Sequence, residues 1–242
     1  MSRDGRRHIV TLGGGFLPTE AGAWRAGPLI EYVLGLARPD PQVCVMNTAV
    51  GDEATAYVRM VGALLDAGVR VRHLALFPMP TAADPRGLLL EQDAVIVGGG
   101  SVANLCAVWR VHGLDDVFRE AWNRGVVLSG ASAGAICWFA GGPTDSFGRE
   151  LRVFSDGLAL LPHSYCPHYD SEERRRPAYQ RAVGDGSLPD GWATDDGVAL
   201  HFVDDTLADV VSDREGVRAW RVERSAGGHV VETALEPRLL TE

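Results

Sequence analysis

The sequence of 242 residues predicts an α/β fold with three layers, in which helices cover both faces of a mostly parallel sheet. Two observations predict this fold. Short runs of apolar and β-branched residues alternate with longer amphipathic stretches, which is the pattern of parallel strands joined by helices. Clusters of glycine also follow several strand candidates, at the sheet edge where open α/β folds bind ligands. We expect residues 1–242 to form one domain.

Five strand candidates are almost entirely apolar, as expected of strands that helices cover on both faces. They are His8 to Leu12, Gln42 to Asn47, Arg70 to Leu76, Ala94 to Val97, and Val126 to Ser129. The helix candidates between them are Pro28 to Ala37, Asp52 to Ala67, Asp84 to Gln92, and one helical region from Val102 to Arg124. The second helix begins with the capping pair Asp52-Glu53. Its apolar periodicity predicts a buried face made of Val58, Val61, Leu64 and Leu65.

The regular alternation ends near Gly141, after which the chain predicts one helix, from about Ser171 to Val183, and several short strands. The strand candidates are Trp192 to Thr194, Val198 to Phe202, Asp209 to Val211, Val217 to Val222, and Val230 to Thr233. We expect these strands to complete the same sheet, with antiparallel members.

Charge and composition exclude several classes of protein. The chain has 32 acidic against 23 basic residues, and this formal charge of −9 would repel a phosphate backbone, so no nucleic-acid partner is expected. No apolar run approaches the ~20 residues that span a bilayer, so we expect a cytoplasmic protein that has no membrane partner. The cysteines show no metal-ligand spacing and predict buried free thiols in a reducing compartment, and no metal or cofactor is expected. They are Cys44, Cys106, Cys137 and Cys166.

The segment from Val126 to Phe139 combines a buried strand, a Gly-x-Ser-x-Gly turn and the start of an apolar helix. This is the pattern of a nucleophile elbow, a sharp turn that holds a serine hydroxyl above the sheet. The string alone is common, but its position between a strand and a helix makes it specific. We therefore predict that Ser132 is a catalytic nucleophile; a plain glycine-rich turn is the alternative.

A nucleophilic serine needs a base, and the chain has seven histidines. His168 follows the extended segment Ser164 to Pro167 and precedes a polar helix start. It therefore occupies a loop at a strand end, where a catalytic base is expected. His163, in a Leu-Pro-His turn, is the second choice.

The third catalytic residue should orient the imidazole and stabilise its positive charge. Asp196, in a turn between two short strands after His168, is preferred. The alternative is Asp145, which lies beyond the elbow helix; at ~1.5 Å per residue, that helix carries the chain roughly 10 Å from the crevice. Asp195 is expected to face the other way, and Asp170 to cap a helix.

Backbone N–H groups beside Ser132 would form an oxyanion hole. Ala133, directly after the nucleophile, supplies one donor. The Gly98-Gly99-Gly100 turn on the neighbouring strand supplies a second, because only glycine lets the backbone approach a substrate so closely. Gly99 is preferred, with Gly100 as the alternative.

The order of the candidate residues argues against a serine α/β-hydrolase, in which the acid precedes the histidine. Here the order is Ser132, His168, Asp196, and only 36 residues (168 − 132) separate the serine from the histidine. That interval is too short for the remaining strands and helices of an α/β-hydrolase.

Four motifs together resemble peptidase family S51, the peptidase E-like serine peptidases, which are relatives of cyanophycinase. They are the strand followed by Gly-x-Ser-Ala-Gly-Ala, the upstream Val-Gly-Gly-Gly, the downstream Pro-His and the later Asp-Gly-x-Ala-Leu. The resemblance extends from the first strand to about Phe202. It implies a flavodoxin-like or class I glutamine amidotransferase-like fold, small peptide substrates, and an acyl-enzyme mechanism.

Carried over to this sequence, the family pattern makes Ser132 the nucleophile, His168 the base and Asp196 the third member of a triad. It places the oxyanion donors near Gly99 and at Ala133. The chain ends soon after the strand candidate Val230 to Thr233, so a short member of the family is expected.

The best known activity of that family is cleavage of dipeptides that have an N-terminal aspartate. In this chain the residues after His168 include Asp170, Glu172 and Glu173, which would repel an acidic substrate. The neighbouring Arg174 to Arg176 could bind a carboxylate, but a solvated helix face is the preferred interpretation.

Two other functions stay open from the sequence. One is a cyanophycinase-like hydrolase of β-aspartyl-arginine polymers. The other is a binding or regulatory protein with the same fold and little peptidase turnover, which poor alignment of the three candidate residues would favour. An amidotransferase is disfavoured because the elbow holds serine rather than cysteine. The oligomeric state is open, a homodimer included.

Overall fold

The computed structural model describes residues 1–241. Its helices are α1 (Pro28–Leu36), α2 (Ala54–Asp66), α3 (Pro85–Leu90), α4 (Val102–Val111), α5 (Leu114–Asn123), α6 (Ala133–Ile136) and α7 (Arg175–Gly184). The first nine strands are β1 (His8–Leu12), β2 (Phe16–Pro18), β3 (Trp24–Ala26), β4 (Gln42–Met46), β5 (Arg70–His73), β6 (Ala94–Val97), β7 (Val127–Ala131), β8 (Phe139–Thr144) and β9 (Arg152–Phe154). The others are β10 (Leu161–Cys166), β11 (Gly191–Thr194), β12 (Val198–Val203), β13 (Thr206–Ser212), β14 (Ala219–Arg224), β15 (Val230–Leu235) and β16 (Arg238–Leu239).

An eight-stranded mixed sheet with the order β16-β13-β12-β1-β7-β6-β4-β5 forms the centre of the structure. Five neighbouring strands of this sheet are parallel to one another, and they are β1, β7, β6, β4 and β5. β12 pairs with β1 in antiparallel orientation, and β13 pairs with β12 in the same way. The predicted α/β fold with a mostly parallel sheet is therefore confirmed.

Helices cover both faces of this sheet, and the side chains of each central strand alternate between two apolar cores. In β6, Ala94 and Ile96 belong to the core that includes residues of α1 and α2. Val95 and Val97 belong to the opposite core, which includes residues of α3, α4, α5 and α6. Burial on both faces explains why the central strands are apolar throughout.

The buried face of α2 is only partly the predicted one, because Leu64 and Val61 lie on it and the other two predicted residues do not. Met60 and Leu64 are buried against the sheet, whereas Val58 and Leu65 are exposed to solvent. Val61 is partly buried beside Met60 and Leu64. The helix carries two neighbouring apolar stripes, so its periodicity alone could not decide which stripe would meet the sheet.

Two helix ends also differ from the sequence expectation. Glu53 caps α2, since its carboxylate accepts hydrogen bonds from the second and third N–H groups of the helix. Asp52 instead accepts from the backbone of the segment after β5. The helical region predicted from Val102 to Arg124 is two helices, because Gly113 adopts a left-handed conformation with φ of 66° between α4 and α5.

The C-terminal strands do not all complete the central sheet, which corrects the prediction. Val198–Val203 and Thr206–Ser212 join it, whereas β11, β14 and β15 belong to a second, six-stranded sheet with the order β15-β14-β11-β10-β8-β9. The cause is the length of α6, which has four residues and is followed by β8 at Phe139. A crossover back to a parallel neighbour needs about a dozen residues, so the chain starts a new sheet instead.

All four cysteines are buried and unpaired, as predicted. Burial raises the pKa of the Cys44 and Cys106 thiols to about 12. Among the helices of residues 1–241, none combines the length and the apolar character needed to cross a bilayer.

The face that α2 buries can be tested with two adjacent leucines. Leu64→Ala should lower the free energy of unfolding by about 2–5 kcal/mol, because it opens a cavity in the core. Leu65→Ala, at a position that is 56% exposed, should change it by no more than about 0.5 kcal/mol. Urea denaturation of the two variants measures both values. Equal losses would contradict the packing of α2 described above.

Candidate active site

Ser132 occupies the sharp turn between β7 and α6. Its backbone has φ of 53° and ψ of −115°, a strained conformation for a residue with a side chain. The turn is closed by backbone contacts that exclude side chains at its two glycines. A Cβ atom at Gly130 would overlap the carbonyl oxygen of Gly134, and one at Gly134 would overlap that of Val97. The Gly-x-Ser-x-Gly pattern is therefore a steric requirement of this turn.

His168 lies at the carboxyl end of β10, in the second sheet, and reaches Ser132 in the first. Its Nε2 atom is 2.9 Å from the Ser132 Oγ atom. The His168 backbone has a positive φ of 60°, and the next residue donates its N–H to the carbonyl oxygen of Thr194 at 3.0 Å. This anchor to β11 fixes the loop that presents the imidazole.

Asp196 lies in the turn that joins β11 of the second sheet to β12 of the first. Its Oδ1 atom is 2.6 Å from Nδ1 of His168. The hydrogen bond from His168 lowers the pKa of Asp196, with a further contribution from Ser171, against the opposing effect of burial. An ionised carboxylate accepts only, so Nδ1 carries the proton and Nε2 is free to accept the Ser132 hydroxyl proton.

Two residues that sequence reasoning did not assign to the site hold the Asp196 turn. The Asp196 N–H donates to Asp170 Oδ1 at 2.9 Å, so Asp170 is not the helix cap that was expected. Arg214 donates from Nε and Nη2 to the Asp196 carbonyl oxygen, at 3.0 Å and 2.5 Å, and its Nη2 also lies 3.3 Å from Asp170. Asp170 could have been suspected from its position two residues after His168; no sequence signal marks Arg214.

The first glycine cluster positions the same turn from the other side. Gly13, just after β1, accepts a hydrogen bond from the N–H of Gly197 and donates one to the carbonyl oxygen of Val198, each at 2.8 Å. A Cβ atom at Gly13 would lie 2.7 Å from the carbonyl oxygen of Asp195. The two turns therefore approach too closely for a side chain at this position.

The alternative candidates lie elsewhere. Asp145 is mostly exposed, and its carboxylate is 3.9 Å from the Arg175 guanidinium rather than beside His168. The His163 ring contacts the edge of Trp192 in the second sheet. Asp195 faces away, as expected: it accepts from the backbone N–H of Arg218, and burial raises its pKa.

The glycine turn after β6 lies directly against the serine. A Cβ atom at Gly99 would lie 3.2 Å from Ser132 Cβ and 3.8 Å from Oγ. Gly100 has φ of 136°, and the following Ser101 donates its N–H to Ala49, which fixes the turn. Ala133 is the first residue of α6, so its N–H has no partner within the helix. Gly99 and Ala133, the candidate oxyanion donors predicted from the sequence, therefore both lie next to Ser132.

The arginine run is only in part the solvated helix face that was expected, since Arg174 is exposed and the two arginines after it are not. Arg175 is buried; it donates to the Pro143 carbonyl oxygen at 2.7 Å and to Glu172 at 2.7 Å. Arg176 donates to Glu232 at 2.5 Å and lies over the Trp220 ring. In three of these four contacts, all but the one with Glu172, the partner is more than 30 residues away along the chain, which no local pattern reveals. Both guanidinium groups are held within the protein.

Comparison with known proteins agrees with this architecture. The model of peptidase family S51 matches residues 10–210. The chain is 42% identical over 217 residues to the Bacillus subtilis (strain 168) protein named Uncharacterized peptidase YgaJ, covering 89% of this chain and 92% of that protein. It is 30% identical over 150 residues to Peptidase E of Streptomyces coelicolor (strain ATCC BAA-471 / A3(2) / M145), covering 58% of this chain and 56% of that one.

Two solved structures share the fold. A peptidase from an acI-B1 Actinobacterium superposes with a TM-score of 0.64 at 15% identity, covering 96% of this chain and 95% of that one. A putative peptidase E protein from Listeria monocytogenes EGD-e gives a TM-score of 0.59 at 18% identity, covering 96% and 100%. At these identities the likeness concerns the fold alone.

The lowered pKa of Asp196 predicts a pH-dependent contribution to stability. A carboxylate with a lower pKa in the folded state stabilises the fold above its unfolded-state pKa of about 4. This contribution is lost as pH falls through the folded-state value. The free energy of unfolding of wild type should therefore exceed that of Asp196→Asn above about pH 4, and the difference should shrink below it.

Urea denaturation between pH 7 and pH 3 measures that difference. Asp145→Asn is the matched control, because the Asp145 carboxylate is mostly exposed and makes no contact with His168. A difference between wild type and Asp196→Asn that stays constant with pH would contradict the prediction.

Proposed function

The chain belongs to peptidase family S51, and from this premise we propose that it hydrolyses small peptides as a serine peptidase with a Ser132-His168-Asp196 triad. One observation carries the proposal. The two hydrogen-bond distances, 2.9 Å from Ser132 to His168 and 2.6 Å from His168 to Asp196, form a continuous path for a proton away from the hydroxyl group.

In the proposed first step, Ser132 Oγ attacks the carbonyl carbon of the scissile peptide bond while His168 Nε2 accepts the hydroxyl proton. A tetrahedral intermediate forms, with its negative charge on the former carbonyl oxygen. His168 then donates the proton to the leaving amine, the C–N bond breaks, and the acyl group remains on Ser132. Water then attacks the ester carbonyl while His168 accepts a proton from it. His168 returns this proton to Ser132 Oγ as the carbon–oxygen bond breaks and the acid is released.

Asp196 has two roles in this scheme. It holds Nδ1–H, so that Nε2 points its lone pair at the hydroxyl group, and its negative charge stabilises the imidazolium formed during the attack. The lowered pKa keeps the carboxylate ionised at neutral pH. Asp170 and Arg214 act through Asp196, since they bind its backbone and fix the turn.

The N–H groups of Ala133 and Gly99 are the proposed donors to the developing oxyanion. Their support is positional: Ala133 follows the nucleophile and Gly99 lies against its Cβ atom. Such preorganised donors stabilise charge that appears only in the transition state. Neither donor depends on a side chain, so both act through the backbone geometry of the two turns.

The alignment of the triad counts against a homologue with the fold and little turnover. That alternative would be supported by a serine and a histidine too far apart for a hydrogen bond. Here both distances lie within hydrogen-bond range, and the strained Ser132 backbone is maintained by glycine contacts on both sides.

A fluorophosphonate probe tests the nucleophile directly. Native wild-type protein should be labelled at Ser132, since His168 makes its hydroxyl group nucleophilic, and mass spectrometry of the labelled peptide identifies the site. Ser132→Ala should not be labelled, and His168→Ala should be labelled at least about 10³-fold more slowly. Absence of labelling in folded wild-type protein would rule out the proposed function.

Replacement of the two candidate acids separates their roles. Asp196→Asn should lower kcat for a cleaved peptide by on the order of 10³- to 10⁴-fold, because the imidazole loses both its orientation and its counter-charge. Asp145→Asn should keep kcat within a few-fold of wild type. The reverse result would make Asp145 the third member of the triad.

A further inference from the structure

Three buried hydroxyl groups lie together close to the strand ends of the candidate active site. They belong to Thr11 of β1, Tyr165 of β10 and Thr194 of β11, and all three residues are 0% exposed. The Tyr165 hydroxyl group lies 2.6 Å from the Thr194 Oγ1 atom and also interacts with the Thr11 side chain. Thr11 Oγ1 in turn accepts the N–H of Leu200 in β12 at 3.2 Å. Thr11, Tyr165 and Thr194 are called the hydroxyl cluster below.

Two members of the hydroxyl cluster stand just before the candidate base and the candidate acid. Tyr165 precedes His168 by three residues (168 − 165), and Thr194, the last residue of β11, precedes Asp196 by two (196 − 194). Their strands, β10 and β11, are paired side by side in the second sheet. The contact between the two hydroxyl groups therefore links the strand end that presents the imidazole to the strand end that presents the carboxylate.

The third member stands in the central sheet, which carries the nucleophile. Thr11 pairs with Gly130 of β7, two residues before Ser132. Because Thr11 and Tyr165 belong to different sheets, the interaction between them crosses the junction at which Ser132 and His168 meet. Apolar packing across such a junction is non-directional, whereas a hydrogen bond requires a particular distance and direction. The hydroxyl cluster can therefore fix how the two sheets are placed at the site.

The Tyr165 hydroxyl group is neutral and has no access to a substrate. Burial raises the pKa of Tyr165 to about 12, against the opposing effect of Thr11 and Thr194, and the charge of the nearby Asp196 carboxylate adds to the rise. A neutral phenol that is 0% exposed neither touches a substrate nor exchanges a proton with it. Any influence of Tyr165 on the reaction must therefore act through the residues that it holds.

We propose that Tyr165 is a positioning residue: through the hydroxyl cluster it holds the second sheet, with His168, at the distance from Ser132 that proton transfer requires. The inference rests on the proposed function. The hydrogen bond between Ser132 Oγ and His168 Nε2 is 2.9 Å long. A displacement of about 1 Å at a reacting centre can lower a rate on the order of 10²-fold, so a small shift between the sheets is enough to slow the reaction.

The rate of fluorophosphonate labelling tests this role without a peptide substrate. Ser132 Oγ displaces fluoride from phosphorus while His168 accepts the hydroxyl proton, so the limiting rate at saturating probe reports the alignment of the two residues. Tyr165→Phe removes the hydroxyl group and keeps the ring. It should lower the limiting rate at least about tenfold. The probe concentration at half-saturation should stay within about twofold of wild type, because the hydroxyl cluster is buried and does not contact the probe.

Tyr179→Phe is the matched control. Tyr179 is also 0% exposed, and its hydroxyl group lies 2.6 Å from Ser164 Oγ. Ser164 pairs with Gly191, the first residue of β11, at the end of that strand away from the candidate site. Tyr179→Phe should lower the thermal denaturation midpoint about as much as Tyr165→Phe, yet keep the limiting rate within about twofold of wild type. An equal fall of the rate in both variants, or no fall in Tyr165→Phe, would overturn the inference.

Thr194 gives a second test, which decides the matter if Tyr165→Phe folds poorly. Thr194→Val removes the hydroxyl group and keeps the shape, whereas Thr194→Ser retains the hydroxyl group. The valine variant should show the slow labelling expected of Tyr165→Phe, and the serine variant should stay within about threefold of wild type. The double variant Tyr165→Phe/Thr194→Val should be no slower than the slower single variant, because both substitutions remove the same contact. Equal rates for the valine and serine variants would overturn the inference.

Wild-type protein separates the failure of this inference from the failure of the proposed function. Absence of labelling in folded wild-type protein would overturn both. Labelling of wild type at Ser132, together with an unchanged rate in Tyr165→Phe, would leave the peptidase function standing and overturn only the positioning role.

Discussion

The shortness of α6 is the constraint on which the candidate site depends. Because this helix has four residues, the chain leaves the central sheet directly after Ser132 and builds a second sheet. That sheet presents His168 at the end of β10, and the chain returns to the central sheet through the turn that holds Asp196. The three side chains therefore meet where the two sheets adjoin. The order serine, histidine, aspartate follows from this path, as does its difference from α/β-hydrolases, in which the acid precedes the histidine.

The parts of the molecule that the sequence predicts well are those that local rules determine. The elbow is one, since neighbouring backbone atoms leave no room for a Cβ atom at Gly130 or Gly134, and both positions therefore need glycine. The central strands are another, because burial on both faces leaves only apolar residues. Arg175 was misread as solvated because the carbonyl group that it binds lies 32 residues away, at Pro143. The support of Asp196 by Arg214 is non-local in the same way, and no spacing in the chain marks it.

Electrostatics divides the region around the site into two environments. The three candidate catalytic residues and their supports form a polar network, in which the Asp196 carboxylate contacts His168 and the Asp170 carboxylate contacts Arg214. A cavity whose wall includes Gly99 and Ala131, two neighbours of Ser132, has no ionisable side chain among its lining residues. The surroundings of Ser132 are therefore polar toward His168 and apolar toward Gly99 and Ala131.

The contact between Gly13 and Gly197 has a consequence for biosynthesis. The first strand leaves the ribosome well before the turn that docks on it, because Gly197 follows Gly13 by 184 residues (197 − 13). A nascent chain that ends before this turn holds Ser132 and even His168 without the carboxylate, and its β1 lacks the neighbour β12. The contacts among Ser132, His168 and Asp196 can therefore form only after synthesis has passed the turn that holds Asp196.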